Sequence, residues 1–542
     1  MIIVDPVALE DAPCTRPSPK WVYDRTGTLV EVPANTLGVT YDPTDLSKAP
    51  FAVVDLEPAT NHLRNNTMAG AAAGVRPNHW GALDGEGSPL NGISATVLGV
   101  TIESGIECLH LRYQGTASGT GVFGMYVRFD FNGTIPAQLE QKWAAGLFYR
   151  MRVMNGEHPT MRPYITERDA GGAALTIVPG PSFSMAGVPL EFYEMEHVAS
   201  HPQVAWVYSG IEMYFTPGKT YDFTFAIGLP QLCRDRVTRF PIKTSNGAVT
   251  RAADVIGPAA GLIYSNVPMV EPPYDAAVTY AKDVLVRDPV THVVYQSLID
   301  ANKGKLLTDE ASWNARGKTN RWAMFDEYNN TQTTNPEEIV VVLSPQSICE
   351  GLYLGNVDAD EIELVVVDQS DGKVYSEVIS LVTASGSSSY YDWCFRPADR
   401  ADYYFTVAMP PYAAALVTVV LRKAGGVAKC GMAAIGLVDD FGPSLYGLSA
   451  SGKDFSSTTF NFDGTSKTQL RDYAKQMNVD VQVNNGEIDY IQRKLFQLRQ
   501  RPIVWIGGPY GATAVFGRYV SFDIVIPGLL KSDMSLQIEG SV

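Results

Sequence analysis

Short stretches of alternating apolar and polar residues fill the chain between residues 80 and 232. Eight of them, from ATVLGVTI to TYDFTFAIGLPQL, follow one another with no helical pattern in between. In GVFGMYVRFDF, Val122, Tyr126 and Arg128 share one parity. The other parity, as expected of a strand with one buried and one partly wet face, holds Phe123, Met125, Val127, Phe129 and Phe131. Such strands predict two packed antiparallel sheets, a jelly-roll carbohydrate-binding-like domain over residues 69–235.

Two later sections carry other patterns. Residues 323–438 hold six more apolar strands, from EEIVVVLSP to ALVTVVLRK, and predict a second β-sandwich. Residues 439–542 combine strands with one convincing amphipathic helix, IDYIQRKLFQLRQR, whose apolar side chains recur at helical spacing: Ile488, Ile491, Leu495 and Leu498. A helix face of this kind closes a small α+β domain by covering one side of its sheet.

The remaining sections are shorter. Residues 1–68 contain WVYD and TLVEV around an Arg-Thr-Gly turn, which predicts a β-hairpin in an N-terminal attachment segment. Residues 236–275 are rich in Pro and Gly and predict a linker. Residues 276–322 predict a small aromatic module that needs a neighbour to complete its core. The predicted fold class is mainly β and multi-domain, with jelly-roll and β-sandwich modules and a small α+β C-terminal domain.

The composition supports this architecture and limits the classes of molecule that the chain can bind. The 542 residues include 48 Gly, 34 Pro, 27 Tyr and 21 Phe, which is typical of many turns joining aromatic-rich strands. The formal net charge is -16. Binding to nucleic acid depends on clustered Lys and Arg that release counterions from phosphates. We therefore expect no nucleic-acid partner.

Cysteines and apolar segments bear on where the protein folds. The six cysteines are far apart and form no CxxC pair, so buried free thiols are expected at Cys14, Cys108, Cys233, Cys349, Cys394 and Cys430. MIIVDPVALEDAP has an acidic residue and a proline where a signal peptide carries a basic patch, and no later stretch approaches the ~18 apolar residues of a membrane span. We expect assembly in a reducing cytoplasm, with no membrane insertion.

One pair of histidines has the spacing of metal ligands. In EFYEMEHVASHPQ, His197 and His201 stand four residues apart, and on a helix both imidazoles would face one ion. Glu194 and Glu196 lie close by in sequence. Pro202 would end such a helix, and the flanking strands favour a loop. We predict no metal site here.

The acidic run NVDADEIE spaces oxygen ligands as a calcium-binding loop does, at Asn356, Asp358 and Asp360. It lacks the glycine of the sixth position and has Val367 where such a loop places its bidentate glutamate. A solvated turn is therefore favoured. The sequence predicts no metal and no cofactor.

No established catalytic motif occurs in the sequence: a nucleophile elbow, a Walker loop and a zinc-protease helix are all absent. A glycosidase needs two opposed carboxylates, and among 58 acidic residues the sequence singles out no pair. Histidines outside the 197/201 pair, such as His110 and His292, lie singly in predicted strands. We expect that the chain is not an enzyme.

Several of these segments resemble modules that recur in tail proteins of bacterial viruses. WVYDRTGTLVEVPANTLGVTYDPTD with ATNHLRNNTM resembles the N-terminal segment of phage tail and fibre proteins, and AIGLPQL with AVTRAADVI resembles the end of their carbohydrate-binding-type jelly roll. VDVQVNNGEIDYIQRKLFQLRQRPIVWIGG through SLQIEG resembles the end domain of siphophage-like baseplate proteins. The resemblance runs along nearly the whole chain in short pieces.

The stretch from Tyr280 to Trp313 is similar to the small chitin-binding-like fold of bacterial polysaccharidases. In that family exposed aromatic side chains stack on sugar rings, which implies glycan stacking by Tyr280, Tyr295 and Trp313. The alternative is that these three residues form the minimal core of the module itself.

In phage tail proteins this module commonly runs into a TNRWAMFD sequence, which is present here before the second sandwich. Trp322 and Phe325 add a large apolar surface at that junction. We expect them to pack the small module against the sandwich, because a module of this size must bury its apolar face on a neighbour.

The resemblance implies a structural component of a phage tail tip or baseplate that displays its β-sandwich modules for adsorption to bacterial surface glycan. Its expected partners are other tail proteins and a surface polysaccharide. It would act as a homo-oligomer in the virion tail, where several copies bind by avidity. Two alternatives stay open: a purely architectural baseplate protein without glycan binding, and a tail-associated polysaccharide depolymerase.

Overall fold

The computed structural model of the protein describes residues 1–43, 45–131, 135–183, 190–237, 240–368, 371–383, 399–460, 462 and 465–541. These residues are predominantly β-strand and include one α-helix near the C terminus. They form two compact units, residues 14–255 and residues 1–13 together with 256–542. The prediction of a mainly β chain with sandwich modules and a small α+β part at the C terminus is confirmed.

The strands are numbered in chain order. The first twenty are β1 (Ile2–Pro6), β2 (Glu10–Asp11), β3 (Cys14–Thr15), β4 (Lys20–Tyr23), β5 (Leu29–Val32), β6 (Gly38–Thr40), β7 (Phe51–Val53), β8 (Ala59–Asn61), β9 (Ile93–Glu103), β10 (Ile106–Thr116), β11 (Phe123–Arg128), β12 (Ile135–Pro136), β13 (Lys142–Gly156), β14 (Thr160–Arg168), β15 (Ala174–Pro179), β16 (Glu191–Val198), β17 (Trp206–Phe215), β18 (Thr220–Arg234), β19 (Val249–Arg251) and β20 (Val255–Ile256).

The second half of the chain contributes the other elements. They are β21 (Gly261–Ser265), β22 (Thr279–Tyr280), β23 (Leu285–Arg287), β24 (Val293–Ser297), β25 (Asn302–Lys303), β26 (Trp313–Lys318), β27 (Thr333–Ser344), β28 (Gly351–Asp358), β29 (Glu361–Asp368), β30 (Gly372–Ser380), β31 (Val382–Thr383), β32 (Asp399–Arg400), β33 (Tyr403–Thr406), β34 (Leu416–Asp440), β35 (Ser449–Asp454), β36 (Ser457–Phe460), β37 (Ser466–Gln469), β38 (Tyr473–Asn484), helix α1 (Ile488–Gln497), β39 (Ile503–Ile506), β40 (Ala514–Val525) and β41 (Lys531–Gly540).

Residues 14–255 contain the jelly-roll sandwich. One sheet has the order β16-β13-β18-β10-β9, and the other has the order β11-β17-β14-β15 with β12 paired to β17. Large apolar side chains fill the space between the sheets, among them Tyr113, Trp143 and Phe215, each fully buried. These strands include all eight that the hydrophobic alternation predicts in this part of the chain.

Strand β16 is the element that sequence reasoning missed, because EFYEMEHV was interpreted as a loop. It is an edge strand that pairs antiparallel with β13. Tyr193 and Met195 pack on the sandwich core, whereas Glu194 and Glu196 are exposed. The loop prediction is wrong here because it relied on Pro202 and the flanking strands, whereas Tyr193 and Met195 alternate with Glu194 and Glu196 as the two faces of an edge strand do.

The hairpin of β4 and β5 covers the outward face of the five-stranded sheet. Its register runs from Lys20 opposite Val32 to Tyr23 opposite Leu29. Tyr23 and Leu29 pack there with Cys108 and Phe148 in a separate apolar cluster. The outward face of the β11-β17-β14-β15 sheet carries a different cluster, in which the buried rings of Tyr164 and Tyr208 contact each other edge to face.

The other unit is organised around one large sheet. Its main path has the order β2-β21-β27-β34-β1-β39-β40-β41-β38-β35, with β28, β29, β30 and β33 paired beside it. Strand β34 pairs with β27, β28, β29 and β1. Aliphatic side chains form the core between these strands, among them Leu352, Leu364 and Leu421.

The two units divide the chain differently from the predicted sections. The predicted attachment segment 1–68 is split, because β1 lies between β34 and β39 in the large sheet while residues 14–68 belong to the jelly-roll unit. The same strand joins the predicted sandwich 323–438 to the predicted domain 439–542. Pairing between segments so distant in sequence leaves no signal in local hydrophobic alternation.

Helix α1 packs where the sequence places it. Ile491, Leu495 and Leu498 are buried, and they share a core cluster with Val481 and Trp505 of the adjoining strands. The helix therefore covers one face of the C-terminal part of the sheet, as predicted. Within the described residues, no helix is long and apolar enough to cross a membrane.

Candidate functional site

The aromatic residues predicted to stack on glycan lie largely inside the small module. Tyr280 is 7% exposed and Trp313 is 2% exposed, and their rings meet edge to face with centroids 5.5 Å apart. The indole Nε1 of Trp313 donates to the backbone oxygen of Lys305 at 3.2 Å. Tyr295 is half-buried against the same cluster. The stacking assignment is therefore corrected for Tyr280 and Trp313, because a buried ring has no face free for a sugar.

Trp322 and Phe325 lie where the small module meets the following sandwich. The Trp322 indole is stacked on His292 of the module, with ring centroids 4.2 Å apart. The same indole belongs to the core cluster of the sandwich with Met324 and Ile339. Phe325 meets Trp322 edge to face at 5.8 Å. These are the contacts expected of residues that pack the two modules together.

The two histidines with metal-ligand spacing have partners within the protein. His197 Nε2 lies 2.6 Å from Glu167 Oε1, and His201 Nδ1 accepts a hydrogen bond from the backbone nitrogen of Gln203 at 3.2 Å. His197 is on β16, and His201 follows that strand in a loop. Glu167 also accepts from the backbone nitrogen of Ser200 at 2.9 Å, so this carboxylate secures the loop to β14.

The acidic run at 356–363 forms ion pairs across neighbouring strands. Asp358 Oδ1 accepts from Lys423 Nζ at 2.5 Å, and Asp360 Oδ1 accepts from Arg400 Nε at 2.8 Å. Across the part of the chain that the structure describes, no group of three or more His, Cys, Asp or Glu side chains is arranged to hold a metal ion.

The five described cysteines are buried and form no disulfide: Cys14, Cys108, Cys233, Cys349 and Cys430. Burial raises the pKa of Cys14 to about 11 and that of Cys108 to about 12. These thiols therefore stay protonated and unreactive near neutral pH. Cys394 lies outside the described residues.

The outward face of the β11-β17-β14-β15 sheet carries a different set of side chains. The register of β14 and β17 places Arg162 opposite Glu212, Thr166 opposite Tyr208 and Arg168 opposite Trp206. Strand β11 adds Tyr126 and Arg128 to the same face. We name this surface the tyrosine–arginine face and define it by Tyr126, Arg128, Phe131, Arg162, Tyr164, Arg168, Trp206, Tyr208, Glu212 and Tyr214.

The alternation of a strand explains why these side chains share one surface. Met125, Ile165 and Ile211 point into the core and are fully buried, so the residues between them point outward. Because strands rise ~3.3 Å per residue and lie ~4.8 Å apart, the paired rows of β11, β14 and β17 extend roughly 20 Å by about 10 Å. That area is comparable with a short oligosaccharide.

Rings and guanidinium groups interleave across this face. The Arg168 guanidinium carbon lies 4.7 Å from the centroid of the Tyr208 ring. Arg128 lies 5.3 Å from the Tyr126 ring, and the Tyr126 and Tyr164 rings meet edge to face at 5.6 Å. Such contacts fix the orientation of each ring before a ligand arrives, which lowers the entropy lost on binding.

Gly210 permits this packing on β17. A Cβ atom at this position would lie 2.2 Å from the backbone oxygen of Val127 and 2.8 Å from the Tyr164 ring. The Tyr164 ring therefore lies directly on the backbone of β17, and any side chain at 210 would lift it away.

Two of the arginines are neutralised by carboxylates. Arg162 Nε donates to Glu212 Oε1, and Arg128 Nη1 donates to Asp84 Oδ1 at 3.0 Å. Burial alone would lower the pKa of Arg128, but its hydrogen bonds to Asp84 outweigh burial and raise that pKa. Burial raises the pKa of Tyr126 to about 12. These phenol and guanidinium groups therefore remain hydrogen-bond donors at neutral pH.

The face carries side chains that can bind a sugar. Glu212 is its one carboxylate, and it is 2% exposed and held by Arg162. Tyr164 and Tyr208 are buried, 1% and 5% exposed, and contact the neighbouring rings from within the face. The rings that a sugar can reach are the exposed or half-buried ones at Tyr126, Phe131, Trp206 and Tyr214. Arg and Tyr offer donors to hydroxyl or acidic groups. Sequence reasoning noted the partly wet parity of Tyr126 and Arg128. It missed the site because the same alternation in TMRPYITER and WVYSGIEMYF was used only to place strands.

No protein-family model matches the chain, and no curated protein matches it. It is similar at low TM-scores to three solved structures. The enzymatically active domain of bacteriophage CBA120 tailspike protein 4 has a TM-score of 0.18 and 11% identity, over 29% of this chain and 19% of that one. The arabinose-bound GH51 α-L-arabinofuranosidase has a TM-score of 0.23 and 12% identity, over 34% and 27%. The tandem CBM22 domains of Paenibacillus barcinonensis Xyn10C have a TM-score of 0.19 and 7% identity, over 69% and 96%.

These likenesses correct one expectation and define no reaction. The chain spans less than a third of the tailspike and arabinofuranosidase chains. Two of the three structures are described as an enzymatically active domain and as a glycosidase, which overturns the prediction that the chain is not an enzyme. An enzymatic activity of the chain is therefore no longer excluded. At TM-scores below 0.25, none of the three assigns a substrate or a mechanism to this chain.

Proposed function

We propose that this chain is a structural component of a bacteriophage tail tip or baseplate that adsorbs to bacterial surface polysaccharide through the tyrosine–arginine face. The observation that carries the proposal is the contrast between the two sheets of the jelly roll. The β4–β5 hairpin covers the sheet of β16-β13-β18-β10-β9, whereas the outward side of the other sheet leaves half-buried guanidinium groups and accessible rings at Tyr126, Phe131, Trp206 and Tyr214. Preoriented rings that alternate with hydrogen-bond donors suit a chain of sugar units.

The place in the virion rests on the resemblance of the quoted segments to phage tail modules. We expect assembly in the host cytoplasm and residence in the tail, with the C-terminal part bound to other tail proteins. Exposed large apolar side chains in that part support such docking, because soluble proteins rarely leave them uncovered. Phe460 is 79% exposed, and Phe462 and Leu529 are almost fully exposed.

Several copies on one tail would strengthen a weak site. Stacking of single sugar rings gives low affinity, and a homo-oligomer that presents several tyrosine–arginine faces at once raises the effective concentration of each. An affinity measured for one dissolved chain is therefore expected to be far lower than the affinity of chains immobilised at high density.

The test uses the full chain immobilised at high density and an array of bacterial surface polysaccharides, with reducing ends assayed in the same wells. The double variant Tyr126→Ala, Tyr214→Ala should bind about 10-fold more weakly, because each stacked ring contributes about 0.5–1.5 kcal/mol. The control Tyr295→Ala changes a half-buried tyrosine of the small module and should bind as the unchanged chain does.

The outcomes separate the candidate functions. Binding that survives the double substitution, or that Tyr295→Ala abolishes, would contradict the assignment of the face. Absence of binding to every polysaccharide would contradict adsorption and favour an architectural role. New reducing ends would show a depolymerase and direct attention to the carboxylates around the bound glycan.

A further inference from the structure

The three guanidinium groups of the tyrosine–arginine face differ in their charge partners. Arg162 is paired with Glu212, and Arg128 is paired with Asp84. Among the described residues, no carboxylate lies within ion-pair distance of Arg168. Three positive charges against two negative ones leave one uncompensated positive charge, and it belongs to Arg168.

Neutral groups hold Arg168 in place. Its Nη1 donates to the backbone oxygen of Gly172, and its Nη2 donates to the Tyr208 hydroxyl at 2.9 Å. Its guanidinium carbon lies 4.7 Å from the centroid of the Tyr208 ring and 5.6 Å from that of Phe131. The buried Nε has no acceptor among the described residues. The side chain is thus positioned without being neutralised.

A half-buried cation without a counter-charge loses solvation that only an anion restores in full. The chain has a net charge of -16, so it repels polyanions at long range. An uncompensated arginine within an aromatic surface therefore attracts an anion only where the anion contacts the guanidinium group. Guanidinium groups bind carboxylate and phosphate oxygens through strong charge-assisted hydrogen bonds.

We propose that the tyrosine–arginine face selects acidic polysaccharide, with a carboxylate or phosphate of the glycan bound at Arg168 and the neighbouring sugar rings lying against Phe131 and Trp206. The inference rests on the proposed glycan binding and names its ligand class. It predicts that removal of the acidic group from an otherwise unchanged polysaccharide weakens binding about 10-fold. The same binding weakens as salt is raised, because ions screen a partly exposed pair.

The experiment compares acidic bacterial polysaccharides with matched derivatives of themselves. Reduction of carboxyl groups removes uronates, and hydrofluoric acid removes phosphates, so the two treatments distinguish the two sources of the oxyanion. The full chain should prefer the untreated polymer. Neutral polysaccharides of the same array report glycan binding that does not depend on an acid.

Variants test the residue itself. Arg168→Gln should remove the preference for the acidic polymer while keeping the weaker binding to its neutral derivative, and Arg168→Lys should restore part of the preference. The control Arg112→Gln removes an arginine that is paired with Asp222 on the opposite sheet and should leave the preference unchanged. Thermal unfolding of each variant establishes that it is folded.

The possible results distinguish the inference about acidic glycan from the proposed function on which it rests. Equal binding to acidic and neutralised polymers by the unchanged chain would overturn this inference and leave the proposed adsorption standing. A preference that persists in folded Arg168→Gln would overturn the role of Arg168. Failure to bind any polysaccharide would overturn both the inference and the proposed function. If Arg168→Gln does not fold, the affinity for the acidic polymer is compared with the affinity for its neutral derivative in the unchanged chain and in Arg168→Lys. A smaller ratio in Arg168→Lys supports the role of Arg168, and an equal ratio contradicts it.

Discussion

At the scale of single residues, Asp254 shows how the jelly-roll unit holds buried charge. Its carboxylate accepts hydrogen bonds from Arg16 Nη1 at 2.6 Å, Lys20 Nζ at 2.5 Å and the backbone nitrogen of Asp55 at 2.8 Å. Burial would raise the pKa of Asp254, but Lys20 and its other partners outweigh burial and hold that pKa below the ordinary value of an aspartate. Because the pKa is lower in the folded state than in the unfolded state, the ionised carboxylate stabilises the fold at any pH above the unfolded-state pKa. This stabilisation is lost as the pH falls through the folded-state pKa.

We predict that Asp254→Asn lowers the free energy of unfolding by about 3–5 kcal/mol at neutral pH, because it leaves Arg16 and Lys20 buried without a full counter-charge. Denaturant unfolding measures the change. The unchanged chain should lose stability as the pH falls below the ~3.9 of an unperturbed aspartate, and the variant should lose less over that interval. The control Asp222→Asn, in the more exposed pair with Arg112, should change little. Equal stability of both variants would contradict this account.

Trp313 gives a second prediction at this scale. Since its ring is buried in the small module, Trp313→Ala should destabilise the unit that contains it by about 3–5 kcal/mol. Val290→Ser, in the same module at a strongly exposed position, should have a small effect. Thermal unfolding followed by tryptophan fluorescence measures both. Loss of glycan binding with no loss of stability in Trp313→Ala would restore the stacking assignment.

At the scale of elements, local patterns predict most strands and leave out those that depend on distant partners. Eight strands of the jelly roll are predictable because each buries one face, and helix α1 is predictable from four apolar residues at helical spacing. Strand β16 was missed because its segment was judged from Pro202 and the flanking strands and not from its own alternation. The place of β1 between β34 and β39 depends on pairing across more than 400 residues, which no window of sequence contains.

Helix α1 offers a direct test of its assigned face. Leu495 is fully buried and its neighbour Phe496 is exposed. Leu495→Ala should lower the free energy of unfolding by about 2–5 kcal/mol through loss of packing and a residual cavity, whereas Phe496→Ala should have a much smaller effect. Comparable losses for the two variants would show that the helix packs by another face.

The tyrosine–arginine face was only partly predictable. Sequence alternation marked Tyr126 and Arg128 as outward, but three strands had to be set side by side before their residues formed one surface. The resemblance of the small module to a chitin-binding-like fold directed the stacking prediction to Tyr280, Tyr295 and Trp313 instead. Their burial follows from the small size of that module, which uses its largest rings to build a core.

At the scale of the whole molecule, the jelly roll and the large sheet serve different parts of the proposed function. The jelly-roll unit carries the tyrosine–arginine face, and the C-terminal part of the other unit exposes apolar side chains at Phe460 and Phe462. Sequence resemblance suggested this division, while the unit boundaries came only from the three-dimensional pairing of β1 and β34.

We predict that the double variant Phe460→Ser, Phe462→Ser weakens self-association or docking to tail partners and leaves the glycan affinity of each chain unchanged. Removal of two large exposed rings deprives an interface of its apolar anchors. Sedimentation velocity and co-purification with tail proteins measure assembly. Val290→Ser removes exposed apolar surface elsewhere and should not alter it. Unchanged assembly of the double variant would contradict this role of the C-terminal part.

The central claim is that glycan binds on the outward face of the β11-β17-β14-β15 sheet. Hydroxyl-radical footprinting of the full chain, with and without the polysaccharide to which it binds most tightly, tests this directly because aromatic side chains react readily when exposed. The account predicts reduced oxidation of Tyr126, Phe131, Trp206 and Tyr214 in the presence of the glycan, with Tyr295 unchanged. Protection of Tyr295 without protection of those four residues would contradict it.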